Sequence, residues 1–267
     1  MATFKREFTH FARKRFGQHF LHDQTVIAHI ARVIAAKPGD LLVEIGPGLG
    51  ALTQVLLPIV QRMHAVELDR DVIPKLQGFC LNMGELIIHQ ADALKFSLHS
   101  IPQNTTPVLI RVVGNLPYNI STPLIFHLLE EAQLIQDMHF MLQKEVVDRL
   151  AAGVGDDAYG RLSVMVQYYC SVQHLFDVGP EAFSPPPKVD SAIVRLIPHR
   201  QLPIVAQDPA LFAKLVTAAF GQRRKTLRNS LKLWTIDWEA VGIAPSARAE
   251  ELSVKDFVTI ANALTSQ

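Results

Sequence analysis

LLVEIGPGLGALT, residues 41–53, runs from an apolar stretch through a glycine turn into apolar helix formers. Leu41-Leu-Val-Glu-Ile45 reads as a buried strand, Gly46-Pro-Gly-Leu-Gly50 as a turn, and the chain from Ala51 to about Leu57 as a helix. Outward from this unit the same alternation recurs. His64-Ala-Val-Glu-Leu68 and Leu86-Ile-Ile-His-Gln90 read as strands, with a helix predicted around residues 70–82. The apolar runs 108–113 and 137–142 flank a helix predicted near 123–131. Strand alternating with helix implies an α/β fold whose parallel sheet is covered on both faces. Upstream, Asp23 is placed to cap a helix whose Val26, Ile27, Ile30, Val33 and Ile34 follow the helical period, and Lys37-Pro-Gly-Asp40 ends it. Downstream come a helix near 161–169 and strand-like runs at 172–178 and 191–197, with Pro185-Pro-Pro187 between them. Residues 198–208 read as a linker, and beyond them the pattern is helical only. Leu211, Leu215 and Ala218 share a face, as do Phe220, Leu227, Leu231 and Trp234, and Val258, Ala261 and Leu264 mark a last helix. The expected division is a catalytic domain over 1–200 and a small all-helical domain over 201–267.

The 267 residues are 49% hydrophobic and 19% charged, enough apolar material for a full core and against disorder. No apolar run approaches the roughly 18 residues of a membrane span, so no membrane partner is expected. The basic N-terminus has no apolar h-region, so no secretion signal is expected either. Cys80 and Cys170 lie far apart and no Cys/His cluster has zinc spacing, which argues against a disulfide framework and against a metal site. A cytoplasmic protein is the expectation. The net charge of +1 conceals a segregation. Residues 1–22 hold five basic residues and one acid, and residues 200–232 hold seven and one. Subtracting these from 26 and 25 leaves 14 basic and 23 acidic residues elsewhere. Two basic segments on an acidic body suggest a located polyanion site, although two solvated surface segments would give the same count.

Gly46-x-Gly48-x-x-Ala51 fits the dinucleotide fingerprint, and Glu67 lies about 20 residues on, where that template places a ribose-binding acid. A nicotinamide or flavin enzyme is therefore a rival reading. Glu44 argues against it, because a fixed anion at the end of the first strand is unfavourable beside a phosphate and favourable beside a cation. S-adenosylmethionine has an adenosine and a sulfonium but no phosphate. Asp92, at the end of the third strand, is suited to accept from an adenine amine, although a turn Asp is common. Glu44, Glu67 and Asp92 at three successive strand ends favour an adenosine site, since ligands of open α/β sheets sit outside these ends.

The fourth strand ends in Asn115-Leu-Pro-Tyr118. An Asn is no general base, but its side-chain oxygen accepts from an amine. Pro117 holds Leu116 extended, so that the Leu116 carbonyl is a candidate second acceptor, and Tyr118 offers a ring face to a planar base. Two acceptors on an exocyclic amine bias its nitrogen toward tetrahedral geometry and aim the lone pair at an electrophilic methyl. Such catalysis works by orientation. The amine of adenine, cytosine or glutamine would fit. An Asn-initiated turn followed by a packed Tyr is the structural alternative.

With these motifs in place the chain resembles the ribosomal RNA adenine N6,N6-dimethyltransferase family. The resemblance runs from Phe16-Gly-Gln-His-Phe-Leu21 through the glycine loop, Glu67-Leu-Asp69, Gln90-Ala-Asp92 and Asn115-Leu-Pro-Tyr118. It continues through Gln143-Lys-Glu-Val146 and Phe183-Ser-Pro-Pro-Pro-Lys-Val189 to Phe220-Gly-Gln-Arg-Arg-Lys-Thr-Leu-Arg-Asn229 and Glu251-Leu252. It implies a Rossmann-like class I methyltransferase with a seven-stranded, mostly parallel sheet, a C-terminal helical domain, and S-adenosylmethionine as methyl donor. It places His19 and Leu21 beside the cofactor, Gly46 and Gly48 under its methionine part, Glu67 on its ribose and Asp92 on its adenine. Asn115 would meet both cofactor and target amine, and Tyr118 and Phe183 would sandwich the target base. His19 departs from the Asn often found there, and its protonation would make cofactor affinity pH-dependent.

Gln222-Arg-Arg-Lys-Thr-Leu-Arg-Asn229 and the Phe-Gly-Gln arm resemble the branch that dimethylates two adjacent adenosines near the 3′ end of small-subunit rRNA. The expected partner is thus small-subunit rRNA or the immature small subunit, met as a monomer. A large-subunit resistance methyltransferase is the runner-up, and an RNA-binding assembly factor a third reading. Arg223, Arg224, Lys225, Arg228 and Lys232 are the expected RNA contacts, with Arg224, Arg228 and Lys232 on one helical face. Arg111 and Lys188 receive no role.

Overall fold

The computed structural model describes residues 19–102, 108–222 and 224–265. The expectations for the basic arm over 1–18 and for Arg223 lie outside the described residues. A short strand β1 (Phe20–Leu21) precedes α1 (Gln24–Ile34), β2 (Leu41–Ile45), α2 (Thr53–Val60), β3 (Arg62–Glu67), α3 (Ile73–Phe79) and β4 (Glu85–Gln90). Then follow β5 (Ile110–Asn115), α4 (Ser121–Leu129), β6 (Ile135–Gln143), α5 (Lys144–Ala151), α6 (Arg161–Tyr169), β7 (Cys170–Val178), β8 (Phe183–Ser184) and β9 (Ser191–Pro198). Helices α7 (Pro209–Ala219), α8 (Leu227–Ser230), α9 (Trp238–Val241) and α10 (Val254–Thr265) complete the described chain.

Seven strands form one sheet in the order β4-β3-β2-β5-β6-β9-β7. The pairs β2/β3, β3/β4, β2/β5 and β5/β6 are parallel. The chain steps outward from β2 to β4, then returns to lay β5 on the other side of β2. The carboxyl ends of β2 and β5 therefore form the switch point at which open α/β sheets bind ligands. Leu42, Val43, Ile45, Val112 and Val113 are buried, which is why these strands read as near-continuous apolar runs. At Gly114 an added Cβ would lie 2.5 Å from the Ile45 carbonyl oxygen, so only glycine lets the two strand ends approach this closely.

Asp23 caps α1 as expected, its carboxylate accepting from the N–H groups of Thr25 at 2.8 Å and Val26 at 3.1 Å. The far end of α1 is held by a residue to which the sequence assigned no role. Arg111, on β5, donates to the Ile34 carbonyl at 2.6 Å and to Asp137 of β6 at 2.9 and 3.0 Å. Its third partner is Asp40, at 2.8 Å, just before β2. One buried guanidinium thus fastens α1, β2, β5 and β6.

By contacts the chain falls into two compact units, residues 1–143 with 176–193 and residues 144–175 with 194–267. The division expected at residue 200 follows the loss of strands from the sequence. The contact division differs because α5 and α6 pack in one group with α7 and α10. Within this second unit Tyr168 packs on Phe212 at 4.8 Å, and Phe220 lies 5.7 Å from Phe257. The expected linker is partly pinned, since Asn262 holds Gln207 and Val205 by hydrogen bonds of 2.8 and 2.9 Å. Asp208 then caps α7.

One helical expectation is corrected. Phe220, Leu227, Leu231 and Trp234 do not share a helix, because α7 ends at Ala219 and α8 spans only Leu227–Ser230. Thr226 is extended and bridges to Arg248, while the Leu227 and Arg228 N–H groups go to the Ala247 and Pro245 carbonyls. Those long-range bonds replace the intrahelical ones that the spacing had suggested.

Candidate active site

Outside the carboxyl ends of β2, β3, β4 and β5 lies a cavity of about 280 Å³. Its wall contains His19, Leu21, Glu44, Gly46, Gly48, Glu67, Asp92, Asn115, Leu116 and Tyr118, residues far apart in sequence that the fold brings together. Phe183 is not among the residues of the wall; it is 2% exposed on β8, opposite Leu21 of β1.

The glycine turn is built on two left-handed positions in the wall. Gly46, at φ +66°, donates its N–H to the Val66 carbonyl at 2.9 Å. Gly48, at φ +55°, donates its N–H to Glu67 Oε2 at 3.1 Å. The other oxygen of Glu67 accepts from the Asp69 N–H at 2.8 Å, so the carboxylate is fixed at the end of β3. Burial raises the Glu67 pKa, and these two backbone donors oppose the rise. Asp92 accepts from the Leu94 N–H at 3.0 Å and is oriented at the end of β4.

Glu44 is 2% exposed at the end of β2. Burial pushes its carboxyl up to about 7, the neighbouring Glu67 charge adds to the rise, and a hydrogen bond from Thr53 opposes it. That bond, from Thr53 Oγ1 at the start of α2, is 2.6 Å long. Thr53 was not singled out from the sequence, where a Thr opening a helix looks like an ordinary first-turn residue.

The Asn-Leu-Pro-Tyr loop is held from inside the fold. The Leu116 N–H donates to the Met141 carbonyl at 3.1 Å, and Ile120 N–H to the Pro117 carbonyl at 3.1 Å, closing a turn into α4. Asn115 Nδ2 donates to the His19 main-chain carbonyl at 3.2 Å, which leaves its oxygen as the acceptor. His19 Nδ1 donates to the Pro185 carbonyl at 2.8 Å. The His19 ring stacks on Tyr118, with centroids 5.9 Å apart and planes at 26°. The Tyr118 hydroxyl meets Ser191 Oγ at 2.9 Å. Burial raises the Tyr118 pKa, with the Ser191 bond opposing.

The cavity wall carries four carboxylates, from Glu44, Glu67, Asp69 and Asp92, and neither Lys nor Arg among the described residues. A phosphate-bearing dinucleotide would meet repulsion there without compensation. A ligand with hydroxyls, an amine and positive charge would not. The ribosomal RNA adenine dimethylase family model matches residues 9–266.

The chain belongs to that family. It is 59% identical over 256 residues to the "Ribosomal RNA small subunit methyltransferase A" of Marinomonas sp., covering 95% of each chain. It is 57% identical over 263 residues to the protein of the same name from Pseudomonas fluorescens, covering 98% of this chain and 97% of that one. Among solved structures, a dimethyladenosine transferase from Plasmodium falciparum matches with a TM-score of 0.77 and 28% identity, over 91% of this chain and 96% of that one. The 23S rRNA methyltransferase ErmE matches with a TM-score of 0.71 at 23% identity, over 92% and 99%, and shares the fold. The family and these folds agree with the α/β methyltransferase architecture that the resemblance implied.

The basic segment is the second place to which the sequence pointed. Arg224, Lys225, Arg228 and Lys232 are exposed, whereas Leu227 and Leu231 are buried. The helical stripe of Arg224, Arg228 and Lys232 is corrected, because only Arg228 lies in α8. Arg224 precedes the extended Thr226, and Lys232 follows the helix in a turn. Arg111 belongs to the buried network around β5, with only 7% of its side chain exposed. Lys188 is exposed.

Proposed function

We propose that the protein transfers methyl groups from S-adenosylmethionine to N6 of two adjacent adenosines near the 3′ end of small-subunit rRNA, as a step in maturation of that subunit. The observation that carries this reading is the acidic, phosphate-averse cavity with an Asn amide held at its rim. The curated relatives, whose name specifies the small subunit, support it over large-subunit RNA. The membrane plays no part in the reading. No helix among the described residues is long and apolar enough to cross one. We place the enzyme in the cytoplasm, acting as a monomer.

The residues present fit the methyl donor. Glu67 is suited to the ribose hydroxyls, and Asp92 to the adenine amine. The Gly46–Gly48 turn and Glu44 suit a cationic amino-acid portion, flanked by His19 and Leu21. When bound, S-adenosylmethionine supplies an electrophilic methyl on a sulfonium. The protein's own task is then to orient an amine whose lone pair is delocalised into a purine ring. The Asn115 oxygen and the Leu116 carbonyl accept from that amine, and Tyr118 stacks on the base. Asn115 takes no proton, so its contribution is orientation, which can supply roughly 7–11 kcal/mol of barrier reduction. The target adenine must be unstacked to reach the loop. The exposed Arg224, Lys225, Arg228 and Lys232 suit backbone phosphates.

The deciding assay offers labelled S-adenosylmethionine with unmethylated small subunits and, separately, with large-subunit RNA, and maps the modified base. Label on two adjacent adenosines of the small subunit is expected. Label confined to large-subunit RNA would overturn the assignment.

A further inference from the structure

Ser191 opens β9 and is completely buried. A buried hydroxyl needs a partner, and the one it meets is the phenol of Tyr118, 2.9 Å away across 73 residues of chain. Tyr118 is only half-buried, and its ring stands in the cavity wall beside Asn115. The ring is held from two directions. Its hydroxyl is pinned by Ser191, and its face lies against His19, which in turn donates to Pro185 and accepts from Asn115 through its main chain. A ring tethered at its tip cannot swing about the Cα–Cβ bond without breaking a hydrogen bond inside the protein, and the stack on His19 opposes its turning about the Cβ–Cγ axis, on which the hydroxyl oxygen lies.

We infer that Ser191 is a positioning residue for methyl transfer, fixing where the Tyr118 ring stands so that the target base lands with its amine on Asn115. This rests on the reading of Tyr118 as the stacking surface. Ser191 touches neither cofactor nor base; it acts through Tyr118. The geometric demand explains why a hydroxyl is useful here. Stacking alone needs only a ring face and would be served by phenylalanine. Stacking in register with an orienting amide needs a ring whose swing is stopped. Losing the tether frees the ring without removing it. The bound base then samples misaligned poses, and the rate falls while RNA and cofactor still bind.

The test is a double-mutant cycle on the full chain with S-adenosylmethionine and unmethylated small subunits. Tyr118→Phe removes only the hydroxyl from a half-buried ring, and Ser191→Ala removes its partner. Each single change is expected to lower kcat about fivefold to tenfold, the worth of one aligned hydrogen bond, with cofactor Kd and RNA KM within about twofold. The double variant is expected to be no slower than the slower single, because both remove the same tether. A merely structural role would lower the unfolding midpoint and leave kcat at the wild-type value; that result overturns the inference. So would multiplicative losses in the double variant. Tyr118→Ala separates the two readings. If it transfers normally, the stacking assignment itself fails. If it is inactive while Tyr118→Phe and Ser191→Ala are fully active, stacking stands and the tether does not.

Discussion

At the level of single residues, the chemistry turns on which atoms are left to accept. Asn115 has one amide group, and the His19 carbonyl accepts one of its two amide hydrogens at 3.2 Å. In the proposed reading the side-chain oxygen, which cannot serve as a base, is the acceptor for the target amine. Asn115→Ala should therefore lower methyl transfer about 100-fold or more while RNA binding stays within a few-fold, measured by filter binding beside single-turnover transfer. Glu44 makes a different prediction, because its carboxyl is pushed up to about 7 by burial. Its folded pKa lies above the ordinary 4.5, so the free protein carries it protonated below about pH 7 and ionising above. A cationic ligand favours the ionised form. Affinity for S-adenosylmethionine should thus rise by up to about tenfold from pH 6 to pH 8. Glu44→Gln should flatten that part of the profile. Calorimetry of both proteins across the range checks it, the variant serving as reference for the ligand's own titration.

At the level of elements, the alternation of apolar runs made the parallel sheet legible, and the residues at its strand ends made the cavity legible. Strand-end positions carry information because the sheet converts them directly into neighbours. What stayed hidden were bonds between distant segments. Nothing around Ser191 or Thr53 distinguishes a hydroxyl that holds a site residue from one that faces water. The stripe of Arg224, Arg228 and Lys232 was misread for the same reason, since the bridge between Thr226 and Arg248 lies outside any local window. Arg111 is the sharpest case, a charge inside an apolar run whose partners sit on three other elements. Removing it takes two hydrogen bonds from Asp137, whose side chain is 2% exposed, so Arg111→Ala should cost about 3–5 kcal/mol in urea unfolding. Restoring an apolar pair with Arg111→Met and Asp137→Leu should recover part of that loss. The β3 and β4 strands carry a second such test. His64 Nδ1 and His89 Nε2 are 2.9 Å apart, and the pKa of His64 is lowered from 6.5 to about 4. Burial is the main cause, and the His89 and Arg62 charges add to it. A histidine with a depressed folded pKa contributes stability that is complete above pH 6.5 and lost as pH falls toward 4. Stability at pH 5 should be lower than at pH 7 by about 1 kcal/mol from this group once solvent screening is allowed for. His64→Leu should remove that share of the pH dependence, read from urea midpoints at the two values.

At the level of the whole molecule, a net charge of +1 says little about affinity for RNA, because the charge is not spread evenly. The cavity wall is acidic, which suits the cofactor and would repel a phosphate backbone. Attraction for the RNA must come from elsewhere on the chain, and the exposed cations Arg224, Lys225, Arg228 and Lys232 are concentrated in one short segment of the second unit. In the proposed reading these cations supply affinity and the cavity residues supply geometry. The two contributions should then be separable by salt. Each phosphate contact adds about 0.7–0.9 to the steepness with which log affinity falls against log salt. Replacing the four cations with alanine should reduce that slope by about 3 if all contact phosphates, and leave the Kd for S-adenosylmethionine unchanged. Asn115→Ala should do the reverse, keeping the wild-type salt slope while abolishing transfer. Titrating labelled small-subunit RNA at several potassium concentrations measures both. A quadruple variant with an undiminished slope would move the RNA-binding surface to another part of the chain.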